Sequence, residues 1–170
     1  QPQILHCSFF DFDGTGAFGI QLQGDLTSSG NSQYADIYSP AIRNCYYGIR
    51  FGPGRWVNTP RVFGGYIQGI HSTGTPSPAS GSIGIWVEED TNQVCLIGTV
   101  VQFFEYGAKF DHGRGHTLVG CRWEGDSRCH VYMGGEVKYC NIVGGSMSNS
   151  IIGSVGIGVE LVDADFITIN

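Results

Sequence analysis

A five-residue pattern recurs six times along the chain: an apolar residue, Gly, a small or branched apolar residue, any residue, then a large apolar one. The copies are Phe18–Leu22, Tyr47–Phe51, Ile83–Val87, Tyr106–Phe110, Cys129–Met133 and Ile157–Leu161, and the fifth carries His130 in place of Gly. Their second positions, 19, 48, 84, 107, 130 and 158, are separated by 29, 36, 23, 23 and 28 residues. An internal period of this size, with one strand per copy, predicts a solenoid. Further short β-branched segments lie between the copies, at 35–42, 61–70, 94–101, 117–123 and 137–143, each bounded by Gly, Asn or Asp. Such runs read as strands. No window of 11 residues carries a 3.6-residue apolar period, so no helix is expected.

A second register runs beside the first. Gly64, Gly98, Gly120 and Gly145 each stand four residues before a polar group: Gln68, Gln102, Glu124 and Asn149. Phe9-Phe10-Asp11-Phe12 echoes Phe103-Phe104-Glu105-Tyr106. Each repeat therefore reads as two or three strands joined by turns, the size of one coil of a parallel β-helix. The whole is an all-β solenoid of about six to seven rungs, a column roughly 30 Å tall at the ladder spacing. The longer repeats predict protruding loops at 23–34, 52–60 and 72–82, where solenoids often carry function.

Composition narrows the class. Glycine is abundant at 27 residues, while charged residues make up 14% and lysine occurs only at 109 and 138. That composition fits turns and strands and is poor material for exposed helical faces. The net charge is −6, and the seven arginines are dispersed, so no basic patch for nucleic acid is present. No run of 18 apolar residues occurs, and no membrane insertion by a helix is expected. The six cysteines show no Cys-x-x-Cys spacing. Most are expected as buried free thiols, and neither a metal site nor a cofactor is expected. The N-terminus, Gln-Pro-Gln-Ile-Leu-His, lacks Met and the features of a signal peptide, and reads as the start of a fragment or processed product.

The run Leu118-Val-Gly-Cys-Arg-Trp-Glu-Gly125, followed by Asn141-Ile-Val-Gly-Gly-Ser-Met147, resembles the strand register of pectate-lyase-superfamily β-helices. It is most similar in character to those of bacteriophage tailspikes and tail fibres. The resemblance extends over most of the chain as rung grammar, without a catalytic motif. It implies that residues 1–170 form a single right-handed, single-stranded parallel β-helix domain belonging to a longer tail protein. It further implies a homotrimer, extracellular on the virion, that engages capsule, lipopolysaccharide or exopolysaccharide of bacteria. A depolymerase, either a glycoside hydrolase or a lyase, is one form of that function. A non-catalytic shaft or receptor-binding module of a trimeric fibre is an alternative, and a secreted microbial polysaccharide lyase is another.

Register turns the sequence into candidate sites. If Ile85 and Ala108 are equivalent, Glu88 lies over Asp111 at roughly 5 Å, suiting a retaining pair of carboxylates in which one keeps its proton. The alternative is a solvated turn where the two charges splay apart. Glu124 and Asp126, two apart on one strand, would face the same side at about 6.5–7 Å, as in an inverting pair. With Gln68, Gln102 and Asn149, Glu124 would line one outer face as a polar stripe whose amides and carboxylate suit sugar hydroxyls; the alternative there is a polar ladder whose members bond one another and the solvent. Arg114, between His112 and His116, could neutralise a uronic acid beside a proton-abstracting imidazole, or lie in an ordinary Gly-rich turn. Trp56 and Tyr66 with Arg55 and Arg61 read as a sugar-stacking wall. Trp86 falls at the outward site of its repeat, beside Arg50 and Lys109, and either stacks on sugar or lies in a subunit interface. Trp123 is expected inside, and His130 at a strand edge.

Overall fold

The computed structural model describes residues 3–12, 14, 16–23, 32–33, 35–52, 57–70, 78–88, 91–148 and 157–170. Among them every named strand pairing is parallel and no helix occurs. Consecutive strands enter different sheets, and each of the three large sheets adds its strands in chain order, one from each successive circuit. The first sheet runs in the order Gln3–Leu5, Asp36–Tyr38, Arg61–Phe63, Cys95–Ile97, Thr117–Val119, Asn141–Val143, Thr168–Ile169. The second runs Ser8–Phe10, Ala41–Cys45, Tyr66–Gly69, Val100–Gln102, Arg122–Glu124, Ser146–Ser148. The third contains all six copies of the five-residue repeat, in chain order and in register. The expected all-β, parallel character is thus present, in an arrangement compatible with a parallel β-helix.

Two expectations are corrected. Ser32–Gln33 and Val57–Asn58, placed within loops by the sequence, form a small fourth sheet with Thr91–Asn92, in which Val57–Asn58 is the middle strand and pairs with both of the others. Those three pieces are two residues long and carry no apolar alternation that periodicity could detect. The echo between Phe9 and Phe103 is not a structural equivalence. Phe9 pairs with Ile42, which aligns through Ile67 with Val101, so Phe103 falls two residues later. It occupies a turn with φ 62°. Most of 23–34 and 72–82, and residues 53–56, lie outside the described residues.

Alternation along each strand builds the interior. Ile37, Val62, Leu96, Leu118 and Ile142 stack from the first sheet, and Ile42, Ile67, Val101 and Trp123 from the second. The third sheet supplies Ile49, Ile85, Ala108 and Val131, with Phe51, Val87, Phe110 and Met133. All are buried, and each large member contributes about 1.5–3 kcal/mol. The cysteines serve the same interior. All six are free thiols, four of them fully buried, and burial pushes Cys140 up to about 11 and Cys129 up to about 12. Such thiols pack as small apolar groups and hold little thiolate.

Corners between sheets need a left-handed residue. Between the first and second sheets that position is held by His6, Ser39, Gly64, Gly98, Gly120 and Gly144, with φ of 45–63°. The ladder continues through this corner, where Gly64, Gly98 and Gly120 donate N–H to the carbonyls of Ile97, Val119 and Val143 at 2.7–2.9 Å.

The repeated Gly of the third sheet has a different task. It lies where the third sheet bends toward the second. A Cβ at Gly84 would stand 2.4 Å from Val101 Cγ1 and 2.5 Å from the Gly107 carbonyl. The two classes of glycine should respond differently to Ala. Gly84→Ala is expected to cost about 3 kcal/mol by overpacking. Gly120→Ala, open on the outside, is expected to cost about 1 kcal/mol for the left-handed backbone alone. Urea denaturation of both variants reads the difference directly, and equal losses would contradict the assignment.

Candidate functional site

The outer face of the third sheet collects aromatic and charged side chains in two columns. The fourth position of each repeat points outward, giving the vertical series Gln21, Arg50, Trp86, Lys109, Tyr132, Glu160. Cation and ring alternate through its middle. The Arg50 guanidinium lies 4.7 Å from the Phe18 ring and 4.8 Å from that of Trp86. Lys109 Nζ lies 5.7 Å from Trp86 and 5.8 Å from Tyr132. Each such contact is worth about 0.5–1 kcal/mol where exposed and more where desolvated. The first position adds Phe18 stacked on Tyr47 at 4.8 Å, Tyr47 against Trp86 at 5.3 Å, and Tyr106 edge-on to Tyr132 at 5.8 Å. Parallel in-register stacking produces this face: a residue type at one repeat position meets its counterpart one ladder step away.

The register expected for Glu88 and Asp111 is present, since Val87 pairs with Phe110 immediately before them. Their surroundings differ from those of a carboxylate pair. Glu88 Oε1 accepts from Arg50 Nη2 at 2.6 Å. Asp111 accepts from Trp86 Nε1 at 2.7 Å and pairs with Lys109 Nζ at 2.8 Å. Each carboxylate has its own cation, so the two do not face one another as a pair. The Trp86 indole is held by Asp111 at its edge and flanked by Arg50 and Lys109. Arg50 Nε is buried without a hydrogen-bond partner among the described residues.

Glu124 and Asp126 do not share a face. The strand ends at Glu124, and Gly125 at φ 67° turns the chain inward. Glu124 stays at the surface on Arg122, 2.9 Å away. Asp126 is fully buried. Its Oδ1 accepts the Phe104 N–H at 3.0 Å, and its Oδ2 lies 2.8 Å from His130 Nδ1. Burial pushes the Asp126 carboxyl up to about 6, against the hydrogen bonds from His130 and the Phe104 N–H. His130 is therefore a buried partner rather than a strand-edge residue. The signal for it was legible: the one repeat without Gly has an acid four residues earlier. That acid occupies the space a Cβ at Gly107 would need, 2.4 Å from Asp126 Oδ2.

The polar stripe exists with one change of member. Gln68 pairs with Gln102, Gln102 with Glu124, and Glu124 with Ser148. Ser148 takes the place expected for Asn149, which lies outside the described residues. Gly144, at φ 60°, holds the corner position, so the frame set from Gly145 was one residue late. Gln102 donates to the Tyr66 hydroxyl, and Arg43 lies 5.3 Å from the Tyr66 ring.

The wall expected from Arg61 and Tyr66 is not assembled. Arg61 is on the first sheet, donating from Nε and Nη2 to the two carboxylate oxygens of Asp36 at 2.7 and 2.8 Å, while Tyr66 belongs to the second. Trp56 and Arg55 lie outside the described residues. Arg114 is exposed in an isolated bridge to Lys138, with its N–H donating to Asn92 Oδ1 at 3.2 Å. His116 behind it is fully buried. Its Nδ1 accepts the Val94 N–H at 3.2 Å, and Nε2 lies 3.2 Å from the His112 carbonyl. This neutral, doubly satisfied ring anchors the turn and is not placed to abstract a proton from a ligand. No family model, no curated protein and no solved structure matches the chain.

Burial lowers His116 to about 4 from the ordinary 6.5. The unfolded chain thus binds a proton there at higher pH than the folded chain. The stabilising share is complete above about pH 6.5 and is lost as pH falls toward 4. Asp126 acts in the opposite sense: its share is complete below its ordinary value of 3.8 and lost as pH rises through about 6. Comparing wild type with His116→Gln cancels Asp126. Between pH 7 and pH 4 the stability difference should move by about 3 kcal/mol in the variant's favour. Urea titrations at each pH measure it, and a constant difference would contradict the neutral buried imidazole.

Proposed function

We propose that this chain is a bacteriophage tailspike or tail-fibre β-helix, right-handed and of six to seven rungs, that binds bacterial surface polysaccharide. The observation carrying the reading is the outer face of the third sheet. Its rings, cations and carboxylates are ordered in columns at the 4.8 Å ladder step, and its charges are matched within the protein. Pyranose rings offer an apolar face to aromatic side chains and hydroxyls to the charged and amide groups beside them. Trp86 is the central contact. The stripe of Gln68, Gln102, Glu124 and Ser148 on the second sheet extends the same polar chemistry.

Binding is favoured over cleavage by the fates of the four candidate acids. Glu88, Asp111 and Glu124 are engaged by Arg50, Lys109 and Arg122, and Asp126 is sealed inside with His130. Neither pair presents a free acid beside a free base across a groove, which glycoside hydrolysis requires. A homotrimer exposed on the virion is the assembly that accompanies this reading. A purely structural shaft is the second reading, favoured by how fully the aromatic and charged groups already satisfy one another.

Binding is tested with a panel of purified capsular and O-antigen polysaccharides, followed by intrinsic tryptophan fluorescence and calorimetry. Trp86→Ala should weaken the best ligand about fivefold or more, from the loss of roughly 1 kcal/mol of ring contact. Tyr139→Ala, outside the third sheet and stacked on Phe166, should leave it unchanged. No binding to any member, or equal binding by Trp86→Ala, would favour the shaft. Release of reducing ends or of unsaturated uronate that disappears in Glu88→Gln or Asp111→Asn would replace binding by cleavage.

A further inference from the structure

The charges on the outer face of the third sheet are already engaged with one another. Three ion pairs cross it: Arg50 with Glu88 at 2.6 Å, Lys109 with Asp111 at 2.8 Å, and Arg128 with Glu160 at 3.7 Å. Glu105, just before Tyr106, adds a further acid at the border, where its carboxylate accepts the Gly81 N–H. Among the described residues, four acids thus meet three cations on this face. Arg43 and Arg114 take no ion pair among the described residues, and both lie elsewhere. Arg43 is on the second sheet over the Tyr66 ring, and Arg114 is in the bridge to Lys138.

The pairs beside Trp86 resist an incoming anion. Glu88 is 13% exposed and Arg50 18%. A ligand carboxylate that took Arg50 would leave Glu88 largely out of water without its cation, the costly case for a buried charge. Lys109 is held by both oxygens of Asp111, at 2.8 and 3.1 Å, and Asp111 is fixed in turn by the Trp86 indole. An acidic sugar lying across Trp86 would therefore meet no open cation. It would stand beside Glu88, two residues along, and Asp111 in the adjoining rung.

Hydroxyls meet no such obstacle. A hydroxyl both donates and accepts, and a paired carboxylate or guanidinium keeps lone pairs or N–H groups beyond those its partner uses. A neutral sugar can bond to both members of a pair without separating them. The adjoining second-sheet stripe is of the same kind. It offers the amides of Gln68 and Gln102 and the hydroxyl of Ser148, and its one acid, Glu124, is held by Arg122.

We infer that the ligand of this face is a neutral polysaccharide, built of hexoses or deoxyhexoses without carboxylate or phosphate groups. The inference rests on the proposed polysaccharide binding and narrows it to one charge class. Every repeat of an acidic polymer would bring a further anion toward a face with no open cation, on a chain of net charge −6.

Isothermal calorimetry of the 170-residue chain separates the charge classes. The probes are neutral capsular and O-antigen polysaccharides, and uronic-acid capsules each paired with its own carboxyl-reduced form, in which uronate has become hexose. Binding should fall among the neutral polymers. A carboxyl-reduced polymer that binds should do so at least about tenfold more tightly than its acidic parent, because like charges no longer meet. Raising salt from about 50 to about 500 mM should strengthen any binding of the acidic parent by screening repulsion, and leave the neutral polymer's affinity unchanged. Glu88→Gln, which frees Arg50 from its acid and keeps the side-chain shape, should raise the ratio of acidic to neutral affinity about threefold or more. Asp111→Asn reads the same ratio at Lys109 if Glu88→Gln loses the far-ultraviolet circular dichroism of the fold. An acidic parent that binds more tightly than its reduced form, or whose binding weakens with salt, would overturn the inference and leave polysaccharide binding in place. So would a ratio unmoved by both substitutions. Binding to no polymer of either class would overturn both readings.

Discussion

The constraint on which the structure depends is that each circuit of chain must return every residue to register with its counterpart one ladder step away. Parallel pairing satisfies the backbone of each strand only through its neighbours above and below. The corners therefore have to repeat as faithfully as the strands. The left-handed residues from His6 to Gly144 keep N–H groups in the ladder while changing the direction of the chain. Once corners and strands repeat, side chains have no freedom of placement. Like positions stack, and a face is decided by which residues occupy one position of the repeat.

That rule produces three unlike surfaces from one geometry. Position three of the third-sheet repeat is apolar throughout and disappears into the interior. Position four alternates ring and charge, so Arg50, Trp86 and Lys109 satisfy one another. The outward positions of the first sheet gather an apolar column and a neutral one. Asp126 and His130 show what happens where the repeat is broken. A side chain that replaces the invariant Gly must enter the space where two sheets meet, and there it needs a polar partner that is equally buried. Removing either partner would strand the other without water, the costly case for a buried ionisable group.

Much of this was legible in the residues. Gly19, Gly48, Gly84 and Gly107 align the third sheet because a larger residue there would strike its neighbours, so steric need left a mark in the sequence. The pairing of Glu88's level with Asp111's followed directly. What register could not show was which cation each acid would take: Arg50 reaches the acid of the next rung, while Lys109 takes the acid two residues along its own. The step from Glu124 to Asp126 failed for a local reason. Alternation of faces holds only while the strand lasts, and Gly125 ends it. The frame at Asn149 failed because Gly144-Gly145 offers two glycines to one left-handed position. The two-residue strands of the fourth sheet were invisible to any periodic signal.

The unequal circuits have an evolutionary consequence. Arg61 and Cys95 are ladder neighbours 34 residues apart, whereas Cys95 and Thr117 are 22 apart. Since doubling a flexible loop costs only about 0.6 kcal/mol in closure entropy, the extra length is nearly free once the two strands meet. A chain built this way can lengthen, shorten or exchange the connection within one circuit without renegotiating the fit of any other. Variation is thereby confined to interchangeable segments, while the stacked strands are inherited as a fixed frame.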